Sequence, residues 1–129
     1  MGRLLLGAAL ILAAGMAQAA DPAEGIWKTQ PDDNGNYGHV QIYPCEVRLC
    51  GVIVAAFNPD GSVRESKTVG KRMIWDMQAA GQGAYSGGKI WAPDRDKTYS
   101  SRMALSGARL DVSGCVFGIC RSQAWTRVR

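Results

Sequence analysis

The chain has 129 residues, with 15 basic and 11 acidic side chains and a single histidine. Its basic residues are scattered from Lys28 to Arg129 with no cluster able to track a phosphate backbone, so nucleic acid is not an expected partner. One histidine and four cysteines also leave little material for a catalytic or metal constellation.

At the N-terminus, Met1-Gly2-Arg3 places one positive charge ahead of an apolar run from Leu4 to Ala14, and small residues follow, ending in Ala17-Gln18-Ala19. Charged, apolar and small segments in that order form a removable secretion signal, and the run is too short for the roughly 20 residues a bilayer requires. Residues 1–19 are therefore expected to be a signal peptide cleaved after Ala19. No integral membrane segment is expected after cleavage, and no cysteine follows the small residues to carry a lipid anchor. Residues 20–129 then form one domain of 110 residues whose net charge, without Arg3, is +3. The expected location is periplasmic or secreted.

The mature segment reads as a succession of short strands rich in Val, Ile, Trp, Tyr and Thr, separated by turn residues. In chain order they are Gly25 to Thr29, Gly38 to Tyr43, Leu49 to Ala56, Met73 to Gln78, Gly83 to Ser86, Gly88 to Trp91, Lys97 to Leu105, Arg109 to Val116 and Ser122 to Val128. Asp33-Asn34-Gly35 and Asn58-Pro59-Asp60-Gly61 supply residues that tolerate positive φ or preset a turn where the chain must reverse, which implies hairpins at both. Alternation sets the faces: Tyr99, Met103 and Leu105 share one side of their strand, Ser100 and Arg102 the other. The fold expected is all-β, an up-and-down antiparallel barrel of about eight strands, because closure removes exposed sheet edges. Such a barrel is filled by side chains or holds one small ligand.

Four cysteines allow three pairings. Cys45 and Cys50 are separated by four residues, as are Cys115 and Cys120, so local pairing across two hairpins is expected, with crossed pairing as the alternative. Paired thiols suit an exported chain, and neither spacing is the two-residue form of redox dithiols or zinc knuckles.

Several segments carry a resemblance. They are Gly25-Ile26-Trp27-Lys28-Thr29, Ile42-Tyr43-Pro44-Cys45, Leu49-Cys50-Gly51-Val52-Ile53-Val54, Gly87-Gly88-Lys89-Ile90-Trp91-Ala92-Pro93, Lys97-Thr98-Tyr99-Ser100-Ser101, Gly114-Cys115-Val116 and Cys120 through Val128. Taken in order they resemble the bacterial domain of unknown function 2147 over essentially the whole mature segment. The resemblance implies a small exported protein with a lipocalin-like barrel and no settled activity. The segment from Asn58 to Arg72 departs from the family pattern, being shorter and lacking the Asp and Asn residues that the family pattern places before the Gly70 turn. The Gly-x-Trp start is also similar to the lipocalins, in which a Trp near the first strand closes one barrel end under an Arg from the last. That likeness assigns barrel closure to Gly25, Trp27 and Arg127, a structural role in which the cation over the ring contributes about 1 kcal/mol.

No catalytic constellation emerges. His39 has no neighbouring nucleophile motif, and the thiols are expected to be oxidised. The oxygen-rich run Asp32 to Asn36 is no calcium loop, since Tyr37 stands where Gly is needed and Tyr43 where Glu is needed. No cofactor or metal is expected. The aromatic set Trp75, Tyr85, Trp91, Tyr99 and Trp125 suits either core packing or the mouth of a site for a small apolar or amphiphilic ligand. On the second reading Trp91 and Tyr99 lie nearest the ligand, with Trp75 beside them and Arg102 neutralising an acidic head group. Two functions follow: a non-catalytic carrier or sensor of a small apolar molecule, or a protein-interaction module such as an inhibitor of an exported hydrolase acting through an N-terminal arm or a loop. An open lined cavity would favour the first, a packed barrel with an exposed apolar patch or protruding arm the second.

Overall fold

The structure, a computed structural model, describes residues 19–129; apart from Ala19, the candidate signal lies outside the described residues. Among the described residues there is no helix, and so none able to cross a membrane. Eight strands run in chain order: β1 Gly25–Lys28, β2 Tyr37–Cys45, β3 Arg48–Phe57, β4 Arg72–Gly81, β5 Ala84–Ala92, β6 Lys97–Ser106, β7 Arg109–Val116 and β8 Ile119–Arg127. Each pairs antiparallel with the next, and β1 pairs with β8, so the sheet is a closed barrel in up-and-down order. The all-β expectation holds.

One pair of predicted elements is merged. The segments expected at Gly83 to Ser86 and Gly88 to Trp91 are one strand, β5, whose register against β6 slips between Tyr85 and Gly88. Gly87 lies at the slip with φ of 75°, a conformation that favours glycine. The chain therefore bends there without ending the strand. The remaining predicted strands match the observed ones to within a few residues at each end.

Alternation along the strands builds the core. In β2, Val40 and Ile42 are buried with Gln41 exposed between them, and in β7 Leu110 and Val112 flank the more exposed Asp111. Trp27, Met77, Leu110 and Trp125 are fully buried, each contributing roughly 1.5–3 kcal/mol of apolar transfer. The disulfides are local, Cys45–Cys50 and Cys115–Cys120, so the crossed alternative falls. Cys115 and Cys120 are directly opposed across β7 and β8, whereas Cys45 reaches diagonally to Cys50, whose own partner is Tyr43. Both bonds are consistent with an exported protein.

Both expected turns occur. Asp32 Oδ1 accepts from the amides of Asn34 and Asn36 at 2.9 and 3.0 Å, ordering the β1–β2 connection. At Asn58–Gly61 the Gly61 amide donates to the Asn58 carbonyl at 2.9 Å, and the following chain folds back so that Val63 bridges Phe57.

Up-and-down order sorts the connections between two ends. The start of β1, the end of β8 and the β2–β3, β4–β5 and β6–β7 turns lie at one end; the β1–β2, β3–β4, β5–β6 and β7–β8 connections lie at the other.

Candidate functional site

The first end is shut by the short arm Asp21–Glu24. Ala23 is fully buried and its carbonyl accepts the Trp27 indole N–H at 2.9 Å. Arg127 spans the closure: its guanidinium carbon sits 4.3 Å from the Trp27 ring centroid, Nη1 donates to the Glu24 carbonyl at 3.0 Å, and Nη2 donates to the Pro22 carbonyl. A Cβ on Gly25 would stand 2.5 Å from the Arg129 carbonyl oxygen, and its φ is 134°, so only glycine fits. The Tyr85 hydroxyl donates to Asp21 Oδ1 at 2.5 Å, pinning the arm to β5. Burial, reinforced by that bond and by the Asp21 charge, pushes the Tyr85 hydroxyl above its ordinary pKa.

The second end is open. There a cavity of about 860 Å³ is walled by β4 to β8, with Met73, Ile90, Tyr99 and Val112 among its apolar residues. That volume lies within the range of about 300–1,000 Å³ found for small-molecule sites. Inward register carries the wall: Ile90 faces Tyr99 across β5 and β6, and a Cβ on Gly114 would touch the side chains of both. The floor is the packed core beneath Val112 and Met103. The rim at the β7–β8 turn is apolar, with Ile119 largely exposed and Phe117 wholly so. Arg95, Lys97 and Arg121 bring positive charge to the same lining.

Of the four side chains expected around a ligand, only Tyr99 lines this cavity. Trp91 follows the inward Ile90 and takes the opposite face; its indole N–H donates to Asp96 Oδ1 at 2.8 Å and Lys71 Nζ lies 5.4 Å from its centroid. Trp75 pairs with Lys89 on that same outer side, with the Arg72 guanidinium 5.0 Å from its ring. Arg102 is exposed beside the inward pair Ser101 and Met103. The four are not brought together. The physical reason is strand parity: adjacent residues point to opposite faces, so Tyr99 and Arg102, three apart, cannot share one. Sequence reasoning missed Arg121 and Gln123, whose signal was present: Trp125 faces inward, and its i−2 and i−4 neighbours follow it.

His39 sits outside, on β2, in an aromatic group with Phe57 and Tyr37 whose centroids lie 4.5 and 6.4 Å from its own. Burial, then the charges of Lys28 and Arg129, lower its pKa. A second, shallower groove of about 660 Å³ runs between Val54–Ala56 of β3 and the chain from Val63 to Val69.

An eight-stranded barrel, capped at one end by a Trp beneath an Arg and open at the other, defines a lipocalin-like protein. The chain is similar in structure to protein HP1028 from the human pathogen Helicobacter pylori, described as belonging to the lipocalin family. The TM-score is 0.66 at 20% identity, with 82% of each chain covered. Residues 25–127 match the bacterial family DUF2147, described as uncharacterized protein conserved in bacteria, and the chain belongs to that family. None of the curated proteins matches it.

Proposed function

We propose that this is an exported, non-catalytic binding protein that holds a small apolar or amphiphilic molecule in the open half of its barrel. The observation that carries the reading is the cavity itself, about 860 Å³ with an apolar wall of Met73, Ile90, Tyr99 and Val112. An inhibitor acting through its N-terminal arm finds less support, because Asp21–Glu24 is docked against the barrel by Tyr85 and Arg127. Export is part of the proposal: the mature chain begins at Ala20, and intact mass of the exported protein tests it, a species retaining Met1 to Ala19 counting against it.

Native mass spectrometry of protein recovered from the periplasm tests for a retained small molecule, and a neutral apolar fluorophore, N-phenylnaphthylamine, tests the cavity directly. Tyr99→Ala should weaken the fluorophore by about 1 to 3 kcal/mol, whereas Trp91→Ala, on the outer face, should leave it within 0.5 kcal/mol of wild type by the usual behaviour of non-contacting positions, roughly. Equal losses for both, or no binding by wild type, would refute the placement of the site.

A further inference from the structure

The polar groups facing the cavity are unbalanced in sign. Arg121 is paired with Gly114, whose missing side chain leaves the space over Ile90 and Tyr99 open, one layer below the rim pair Val116 and Ile119. Lys97 shares the inward parity of Tyr99 and stands at the rim. Among the described residues neither Lys97 nor Arg121 forms an ion pair, the two that exist being Arg95 with Asp94 and Arg109 with Asp111. Gln123 lies one layer below Arg121, and its Oε1 accepts the Trp125 indole N–H at 3.1 Å, which leaves its NH₂ as a donor. The one carboxylate in the lining, Asp94, is well exposed and offset by its neighbour Arg95 at 3.9 Å. Beyond the hydroxyls of Thr98 and Tyr99, which serve either way, the remaining polar side chains at the lining donate or are cationic.

Resting on the binding reading above, we infer that the cavity selects an anionic amphiphile: an apolar body against Met73, Ile90 and Val112, and one carboxylate or phosphate head group at Arg121, with Lys97 as a second cation. A planar guanidinium matches both head groups through paired N–H donors, and apolar walls beside it strengthen the attraction relative to open water. A neutral or cationic head group would leave Arg121 uncompensated.

The test displaces N-phenylnaphthylamine from the mature protein with dodecanoate, dodecyl phosphate, dodecanol and dodecyltrimethylammonium, all below micelle-forming concentrations. Both anions should compete about tenfold more tightly than dodecanol, and the cation more weakly than either. The tighter of the two anions identifies the head group. Arg121→Gln should abolish the tenfold preference without changing dodecanol, and Arg121→Lys should restore part of it for the phosphate. If dodecanol competes as well as the anions, or Arg121→Gln weakens dodecanol and dodecanoate alike, head-group selection is overturned and the binding cavity stands. If N-phenylnaphthylamine does not bind at all, the cavity reading falls and the selection with it.

Discussion

Replacing Arg127 with Met keeps most of the aliphatic stem but removes the cation and its donors from the closed end. The guanidinium lies 4.3 Å from the Trp27 centroid and donates to the carbonyls of Glu24 and Pro22. A half-exposed cation over an indole contributes about 1 kcal/mol, and a charged donor to a carbonyl contributes about 1.5 kcal/mol or less where water can replace it. The expected cost is therefore about 3 kcal/mol. For a domain of this size that corresponds to a fall in Tm of roughly 12 °C. Urea denaturation followed by tryptophan fluorescence measures the loss, and a cycle with Trp27→Leu isolates the cation–ring coupling, expected near 1 kcal/mol. A loss for Arg127→Met below about 0.5 kcal/mol, in the range of ordinary surface changes, would refute the view that this side chain holds the arm and the barrel end together.

Tyr85→Phe should cost about 1 to 2 kcal/mol at neutral pH by removing the hydroxyl donor to Asp21 Oδ1, which keeps only the Ala23 amide. Because the folded-state pKa of Tyr85 is raised, its contribution is complete below the unfolded value of about 10 and is lost as pH rises beyond it, so the variant should show a shallower alkaline decline in stability than wild type; identical declines would count against this assignment. His39 behaves in the opposite sense: its lowered pKa gives stability present above about 6.5 and lost as pH falls, and His39→Gln should flatten that acid limb, whereas an NMR titration midpoint at or above 6.5 would contradict it. Each disulfide closes a loop of sequence separation 5, for which chain entropy predicts about 2 kcal/mol apiece; replacing both cysteines of either pair with Ser should lower stability by that amount, and non-reducing peptide mapping should recover Cys45 with Cys50 and Cys115 with Cys120.

The closed end was readable from residue types. Trp27 three positions into the first strand region, Arg127 near the chain end and Gly25 before the Trp are local features, and the likeness they carry is matched by the observed stacking. The disulfides were readable because each pair is close enough in sequence to close a hairpin of its own. The open end was not. Counting alternately along one uninterrupted strand from Tyr85 would put Trp91 on the same inner face. The slip between Tyr85 and Gly88 adds one residue, reverses the parity, and turns Ile90 inward and Trp91 outward. In β4, Asp76 at φ of 55° separates the inward Ile74 and Met77 by three positions, leaving Trp75 with Arg72 outside.

What the sequence alone determined is therefore the succession of strands apart from the join within β5, the hairpin order and the two local staples, since each rests on periodicity, turn chemistry or neighbours within a few residues, while the pairing of Trp27 with Arg127 came through the likeness to the lipocalins. Which aromatic rings face the cavity, and which cations meet them there, only the tertiary structure decided. A face assignment depends on counting residues in register across paired strands, and a single bulge, set by how β4, β5 and β6 fit together around the barrel, reverses it for every residue beyond.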